Sequence, residues 1–372
     1  MTTQQVNPMV QNMNARAMLL GTGVDMVKRL QPVTASAMGQ TMRITLERMG
    51  ITTGVMLNFT IPVNITATAT ASEFAPYNLV GSIKYTDFAG VNRVLTSGYG
   101  LHVLNCMRCH KFLNNSHKLG EFLTSVETGV DTNILSLPTA ISTANIQFSM
   151  YVPLAYDAAN DLRGAVLSQT ITGDHTVTIE LPSAFVGADT FVSPYSAGTV
   201  ALQAGQSISV EAYQMYIMPQ NGVNDLPLLD LSTIYGIEGN VNDSSNITSG
   251  QSKYINWVNQ RSILSTLHVF NNGGSGTLNG TDVSQITLMG NSNTNLREMS
   301  PKFVRNQMRY AMGADFASGV YYIGSRTKPI QTQLYGNVQT RFDVVTANSG
   351  AYFNNQFESF YLAGTPLPGV IQ

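Results

Sequence analysis

Between Val55 and Ile65 the chain alternates without a break. Val55, Leu57, Phe59, Ile61, Val63 and Ile65 take one side, and Met56, Asn58, Thr60, Pro62 and Asn64 take the other. A period of two makes a strand that buries one face, because successive side chains of an extended backbone point to opposite sides. The same alternation returns in HTVTIEL (His175–Leu181), SISVEAY (Ser207–Tyr213) and VQTRFDV (Val338–Val344). Clusters of Gly, Asn, Asp and Pro, such as NNGGSGTLNG (Asn271–Gly280), separate the runs and read as turns. The body is therefore expected to be mainly antiparallel β, of sandwich type.

Two stretches keep a helical period instead. Met9, Met13, Ala17, Leu20, Val24 and Val27 recur in steps of three and four, which predicts an amphipathic helix between Met9 and Leu30. Gly21 and Gly23 weaken it by roughly 1 kcal/mol each relative to Ala. A second helix is predicted where Ser300 can cap, Pro301 fits the first turn, and Phe303, Val304, Met308 and Ala311 share a face before Gly313. Lys302, Arg305 and Arg309 on its other side read as a solvated face.

A chain of 372 residues exceeds one ordinary core and suggests two domains. In MPQNGVNDLP (Met218–Pro227) a strand pattern ends in turn residues, which makes this the best boundary. The expected division is an arm of residues 1–34, a first sandwich of 35–219, a linker of 220–225 and a second sandwich with the tail, 226–372. LHVLN at Leu101–Asn105 echoes in LHVFN at Leu267–Asn271, as two similarly built halves would produce.

Hydrophobic residues, 43% of the chain, are enough for a packed interior, whereas charged residues are only 11%, less than half the ~25% of a typical soluble protein. A surface of Asn, Ser, Thr, Gln and Gly suits a chain given over to contacts, because interface cores are depleted of charge. The formal net charge of −2 argues against general nucleic-acid binding. Its distribution is uneven: Arg16, Lys28, Arg29, Arg43 and Arg48 against Asp25 and Glu47 leave residues 1–50 at +3 and the remainder at −5. Nine of the 17 methionines lie at or before Met56, so the amino-terminal arm is both basic and rich in adaptable thioethers. No run of about eighteen apolar residues offers a transmembrane helix. The first residues lack the basic-then-apolar order of a secretory signal, so folding in a cytoplasm is expected.

Both cysteines lie in CMRCH (Cys106–His110), the order of a c-type haem attachment. That reading needs export and an apolar haem pocket, and the residues before Cys106 read as a strand where an exposed helical turn is the usual setting. A zinc site from Cys106, Cys109, His110 and His117 lacks a second Cys pair, and a redox disulfide lacks its βαβ setting. The cysteines are read as small reduced residues at a strand end. His102, His175 and His268 fall in strand-like stretches and read as packed or surface histidines, not as bases. GTGVDM at Gly21 lacks the third glycine of a dinucleotide fingerprint, and no phosphate-loop, zinc-protease or serine-hydrolase motif occurs. Neither enzymatic activity nor a cofactor or metal is expected.

Longer motifs point elsewhere. FAPYNLVGSIKYTD (Phe74–Asp87), SGYGLHVLN (Ser97–Asn105), YVPLAYDAANDLRGAVL (Tyr151–Leu167), LPLLDLSTIYGIE (Leu226–Glu238), LSTLHVFNNGGS (Leu264–Ser275) and ADFASGVYYIGSRTKPIQTQLYGNV (Ala314–Val338) resemble, in this order, segments of the tectivirus-type double jelly-roll major capsid proteins. The likeness covers most of residues 72–338, and the two ends resemble the family only in character. In that family no cysteine pair follows the LHVLN strand, so CMRCH is a local variation.

The resemblance implies two tandem eight-stranded jelly rolls behind an N-terminal helical arm. It also implies bacteriophage homotrimers of nearly hexagonal outline that tile an icosahedral virion shell around an internal lipid membrane, after assembly in the host cytoplasm. The implied partners are the chain itself, neighbouring trimers, penton and minor membrane proteins, and viral membrane lipid, with no sequence-specific nucleic-acid contact. The arm residues expected to meet membrane or neighbour are Met9, Met13, Arg16, Leu20, Lys28 and Arg29. At about 1 kcal/mol per basic residue near anionic headgroups one arm is weak; many arms per shell act through multivalency. The alternative is a jelly-roll carbohydrate- or receptor-binding spike, which shares the β pattern but needs neither the basic arm nor the ordered motifs.

Overall fold

The computed structural model describes residues 22–108, 137–168, 172–218, 233–273, 281–291, 294–312, 316–317, 319–325 and 328–362. The long alternating run lies in β4 (Ile51–Ala71), and its six apolar side chains from Val55 to Ile65 are buried in the core. Burial of each is worth about 2 kcal/mol. In the same sheet are β1 (Val24–Arg29), β2 (Val33–Ala35), β7 (Ser142–Pro153), β8 (Val166–Leu167), β10 (Tyr195–Leu202) and β11 (Ile208–Met218). A second layer of the amino-terminal half holds β3 (Thr41–Thr45), β9 (Thr176–Glu180), β5 (Ser82–Thr86) and β6 (Asn92–Thr96).

In the carboxy-terminal half β12 (Thr233–Asp243), β20 (Tyr352–Leu362), β14 (Ser262–Asn271) and β17 (Val320–Gly324) form one layer, with β18 (Ile330–Gln331) beside β14. The other layer is β13 (Gln251–Asn256), β19 (Gln339–Val344), β15 (Val283–Gly290) and β16 (Thr294–Met299).

Both halves have one strand order. Take β1 with β2 as a single interrupted strand, and set aside the short β8 and β18 and the added β10. Eight strands then remain in each half, ordered 1-8-3-6 in one sheet and 2-7-4-5 in the other. That is the order of a jelly roll. The halves are joined edge to edge, since β6 and β12 pair in parallel at Val94 and Ile237, so the two inner layers make one sheet of nine strands. The connection from fifth to sixth strand carries a helix in each half: α1 (Gly98–Arg108) and α2 (Pro301–Met312), which touch one another.

Three expectations are corrected. Of the helix predicted from Met9 to Leu30, residues up to Gly21 lie outside the described residues, and Val24–Arg29 is the strand β1. It pairs antiparallel with β11, Val24 opposite Met218 and Arg29 opposite Tyr213. A ladder of backbone hydrogen bonds outweighs the weak helical preference of a Gly-interrupted, Val-containing stretch. Leu101–Asn105 is helical, within α1, whereas its echo Leu267–Asn271 lies in β14, so the pentapeptides do not mark equivalent places. In α2, Ser300 Oγ caps by accepting the Phe303 N–H at 3.1 Å, and Val304 and Met308 are buried as expected. Phe303 is exposed instead of sharing their face.

Candidate functional site

The seam between the two sandwiches is built on β20, YFNNQFESFYL. Ten of its eleven residues are buried, on both faces of the sheet. Phe353, Asn355 and Phe357 face the β13–β19–β15–β16 layer. Phe353 packs on Phe342 with ring centroids 4.6 Å apart, Phe357 meets the Trp257 ring edge-on, and Asn355 Oδ1 lies 2.8 Å from His268 Nδ1.

The alternate residues look toward the first sandwich. Gln356 Oε1 accepts from Thr96 Oγ1 at 2.6 Å, and its Nε2 donates to Ser97 Oγ at 2.9 Å and to Asn354 Oδ1 at 3.0 Å. The Tyr352 hydroxyl donates to Asp189 Oδ2, and Asn271 Nδ2 donates to Oδ1 of the same carboxylate, both at 2.8 Å. Phe360 takes the Arg163 guanidinium 4.1 Å above its ring. Glu358, fully buried, ties together strands of its own sandwich, accepting from Tyr235 OH on β12 at 2.8 Å and Ser265 Oγ on β14 at 2.5 Å. Nearby, Arg261 is enclosed over the Tyr361 ring and pairs with Glu238 at 3.1 Å. Burial raises the Glu238 pKa, and the Arg261 charge works against that rise. Directional bonds of this kind fix one angle between two bodies, which apolar contact alone leaves loose.

α1 is fitted to this seam. Ser97 Oγ accepts the Gly100 N–H at 3.1 Å and caps the helix. A side chain at Gly98 would strike the Tyr77 carbonyl, and one at Gly100 would strike the Gln356 amide. The helix is almost wholly buried, so it lacks the polar stripe by which a helix is recognised in sequence. His102 stacks on Tyr77 with centroids 3.6 Å apart, Cys106 Sγ lies 3.6 Å from both its ring nitrogens, and burial pushes its pKa down to about 3. His268 is likewise held down, to about 4, by burial, and the buried His175 sits 3.1 Å from Tyr85 OH with its pKa also lowered by burial. All three are packed, neutral side chains. Cys106, expected at a strand end, is buried within α1 instead; Cys109, His110 and His117 lie outside the described residues. Among the described residues no cluster of three or more His, Cys, Asp or Glu could hold a metal ion.

Of the arm residues, Met9, Met13, Arg16 and Leu20 lie outside the described residues. Lys28 and Arg29 lie on β1, Lys28 3.9 Å from Glu47 and Arg29 2.7 Å from Glu211. Both are surface ion pairs, with side chains about half exposed. The seam itself was not anticipated; its signal is the interleaving of amide, carboxylate and aromatic side chains after Ala351.

Comparison with known proteins agrees with this architecture. The model of the P3 major capsid protein N-terminal domain matches residues 4–218 and that of the C-terminal domain matches residues 232–366. Major capsid protein P3 of Enterobacteria phage PRD1 is 29% identical over 374 residues, covering 95% of this chain and 91% of that protein. Among solved structures, the major capsid protein of Sulfolobus Turreted Icosahedral Virus superposes with a TM-score of 0.66 at 14% identity, over 92% of this chain and 98% of that one. Vp54 of PBCV-1, fitted into a reconstruction of the virophage Sputnik, gives 0.58 at 10% identity, over 91% and 93%. These likenesses favour no spike or enzyme. The chain belongs to the P3 major capsid protein family, and is a major capsid protein of the double jelly-roll fold, a structural component of a virion.

Proposed function

We propose that three copies of this chain form a trimer of nearly hexagonal outline, and that such trimers tile the virion shell around an internal lipid membrane. The observation that carries this reading is the repeated strand order: one chain holds two sandwiches of one design. Three chains around a threefold axis then present six similar flanks, and such a block tiles a closed shell. The hydrogen-bonded seam holds the two sandwiches at one angle, as a tile requires. In this reading the first jelly roll takes in β1 together with residues 35–219, 220–225 is the linker, and 226–372 is the second jelly roll. Native mass spectrometry is expected to give a particle of three 40.2 kDa chains, with six lobes in electron micrographs. A chain that stays monomeric or dimeric contradicts the reading.

The membrane role falls to residues 1–21, whose one charged side chain is Arg16. Arg16 contributes about 1 kcal/mol of electrostatic attraction per arm. Met9, Met13 and Leu20 supply the apolar remainder, and repetition over the shell makes weak contacts effective. Deleting residues 1–21, which leaves β1 in place, is expected to preserve the trimer and abolish flotation of assembled particles with anionic vesicles. Undiminished flotation contradicts a lipid-facing arm. Penton and minor membrane proteins are the further partners of this reading, and the host cytoplasm is where its trimers form.

A further inference from the structure

We propose that a cavity at the seam is a socket for a tyrosine of a second copy of this chain, namely the exposed Tyr310 of α2. The presence of a second copy rests on the trimer reading above. The cavity has a volume of about 130 Å³, and Asn78, Val80, Ser97, Tyr99, Phe191 and Asn242 are among its lining. An engineered apolar cavity of about 150 Å³ admits benzene, so one aromatic ring is the right size.

Its polar groups say which ring. Asn78 is buried, and its Nδ2 donates to the carbonyls of Thr190 at 2.9 Å and Ser193 at 3.0 Å. Those two acceptors settle which amide atom is the oxygen. Asn78 Oδ1 is buried without a donor, an unfavourable state that an incoming hydroxyl would relieve. The Tyr99 and Phe191 rings stand edge to face at 6.4 Å, an aromatic wall. Asn242, exposed, has its Oδ1 occupied by Asn354 Nδ2 at 2.8 Å, which leaves its own amide hydrogens for a carbonyl. A deep acceptor, an aromatic wall and an outer donor complement a phenol carried on a peptide backbone.

The chain presents such a phenol. Tyr310 is 95% exposed on α2, a helix pinned to the body by buried Val304 and Met308, and Phe303, seven residues earlier on the same face, is also exposed. Exposed aromatics on a rigid helix are what interface hot spots are made of. Knob and socket are different surfaces, so the contact is head-to-tail, the kind that closes into a ring such as a trimer.

The test uses p-cresol, the tyrosine side chain alone, observed by ligand-detected NMR. Tyr310→Ala protein, whose sockets are empty in any oligomeric state, is expected to bind p-cresol, and the wild-type trimer is not. Adding Asn78→Leu to Tyr310→Ala should weaken p-cresol about tenfold through loss of the acceptor. Val192→Trp in the same background, at a partly exposed lining residue that leaves Asn78 and its carbonyl partners in place, should block it. Equal p-cresol binding by wild-type trimer and Tyr310→Ala protein, no binding by Tyr310→Ala protein, or binding indifferent to Val192→Trp would overturn the socket. A wild-type chain that native mass spectrometry finds monomeric overturns the trimer reading instead, so the two failures are distinguishable.

Discussion

β4 and β20 are long strands of the two halves, and they bury themselves in opposite ways. β4 is one-sided: Val55, Leu57, Phe59, Ile61, Val63 and Ile65 enter the core, while Met56, Asn58 and Thr60 between them remain partly exposed. β20 has no outer side, because it runs in the shared middle sheet, where both faces meet protein. A strand covered on both faces can be apolar throughout. β20 instead carries Asn354, Gln356 and Glu358 in its interior, each hydrogen-bonded. The difference teaches what each strand is for: β4 supplies hydrophobic stability to one sandwich, and β20 supplies the fixed geometry between two.

The comparison is broken most severely at β4. Phe59 stacks on Phe148 with centroids 4.7 Å apart in a fully enclosed site, and Phe59→Ala is expected to cost about 4 kcal/mol in denaturant unfolding. At the seam, Gln356→Ala takes the amide away from the buried Thr96 and Ser97 hydroxyls of the first sandwich and leaves a cavity, for an expected cost of about 3 kcal/mol. A cost well under 1 kcal/mol would mean that polar bonds do not hold the halves together.

Acid sharpens the comparison further. His268 takes a proton near pH 6.5 when unfolded but only near 4 when folded, so its contribution is complete above pH 6.5 and is lost as pH falls toward 4. The loss amounts to about 3 kcal/mol, less what Glu238 returns, because a carboxyl whose folded pKa is raised favours the folded state as pH falls. Stability measured from pH 7 to 4 should decline, with the buried His102 and His175 adding to the loss, and His268→Gln should make that slope shallower without abolishing it. The smallest effect belongs to the surface pair on β1: Arg29→Ala is expected to cost less than about 1 kcal/mol in the same unfolding assay.

Legibility follows the same division. β4, β9, β11, β19 and α2 were readable because each has one buried and one wetter face, so periodicity survives in the residue order. α1 and β20 were not, because enclosure on all sides removes the contrast on which periodicity depends. β1 was misread because Val24 and Val27, three apart, suit a helix, while the partner that makes a strand of them, β11, lies almost two hundred residues away. The same distance hid the fate of Lys28 and Arg29: their nearness to Glu47 and Glu211 follows from how β1 is placed, and no local pattern shows it.

The direct test of a seam that fuses the halves into one block is equilibrium unfolding followed at two places. Trp257, the only tryptophan, reports the second sandwich through its fluorescence, and hydrogen exchange at the backbone of β4 reports the first. The account predicts that both signals are lost together, at one denaturant concentration, and are displaced together by Gln356→Ala. Two separate transitions in the wild-type protein, with either sandwich persisting after the other has unfolded, would contradict it.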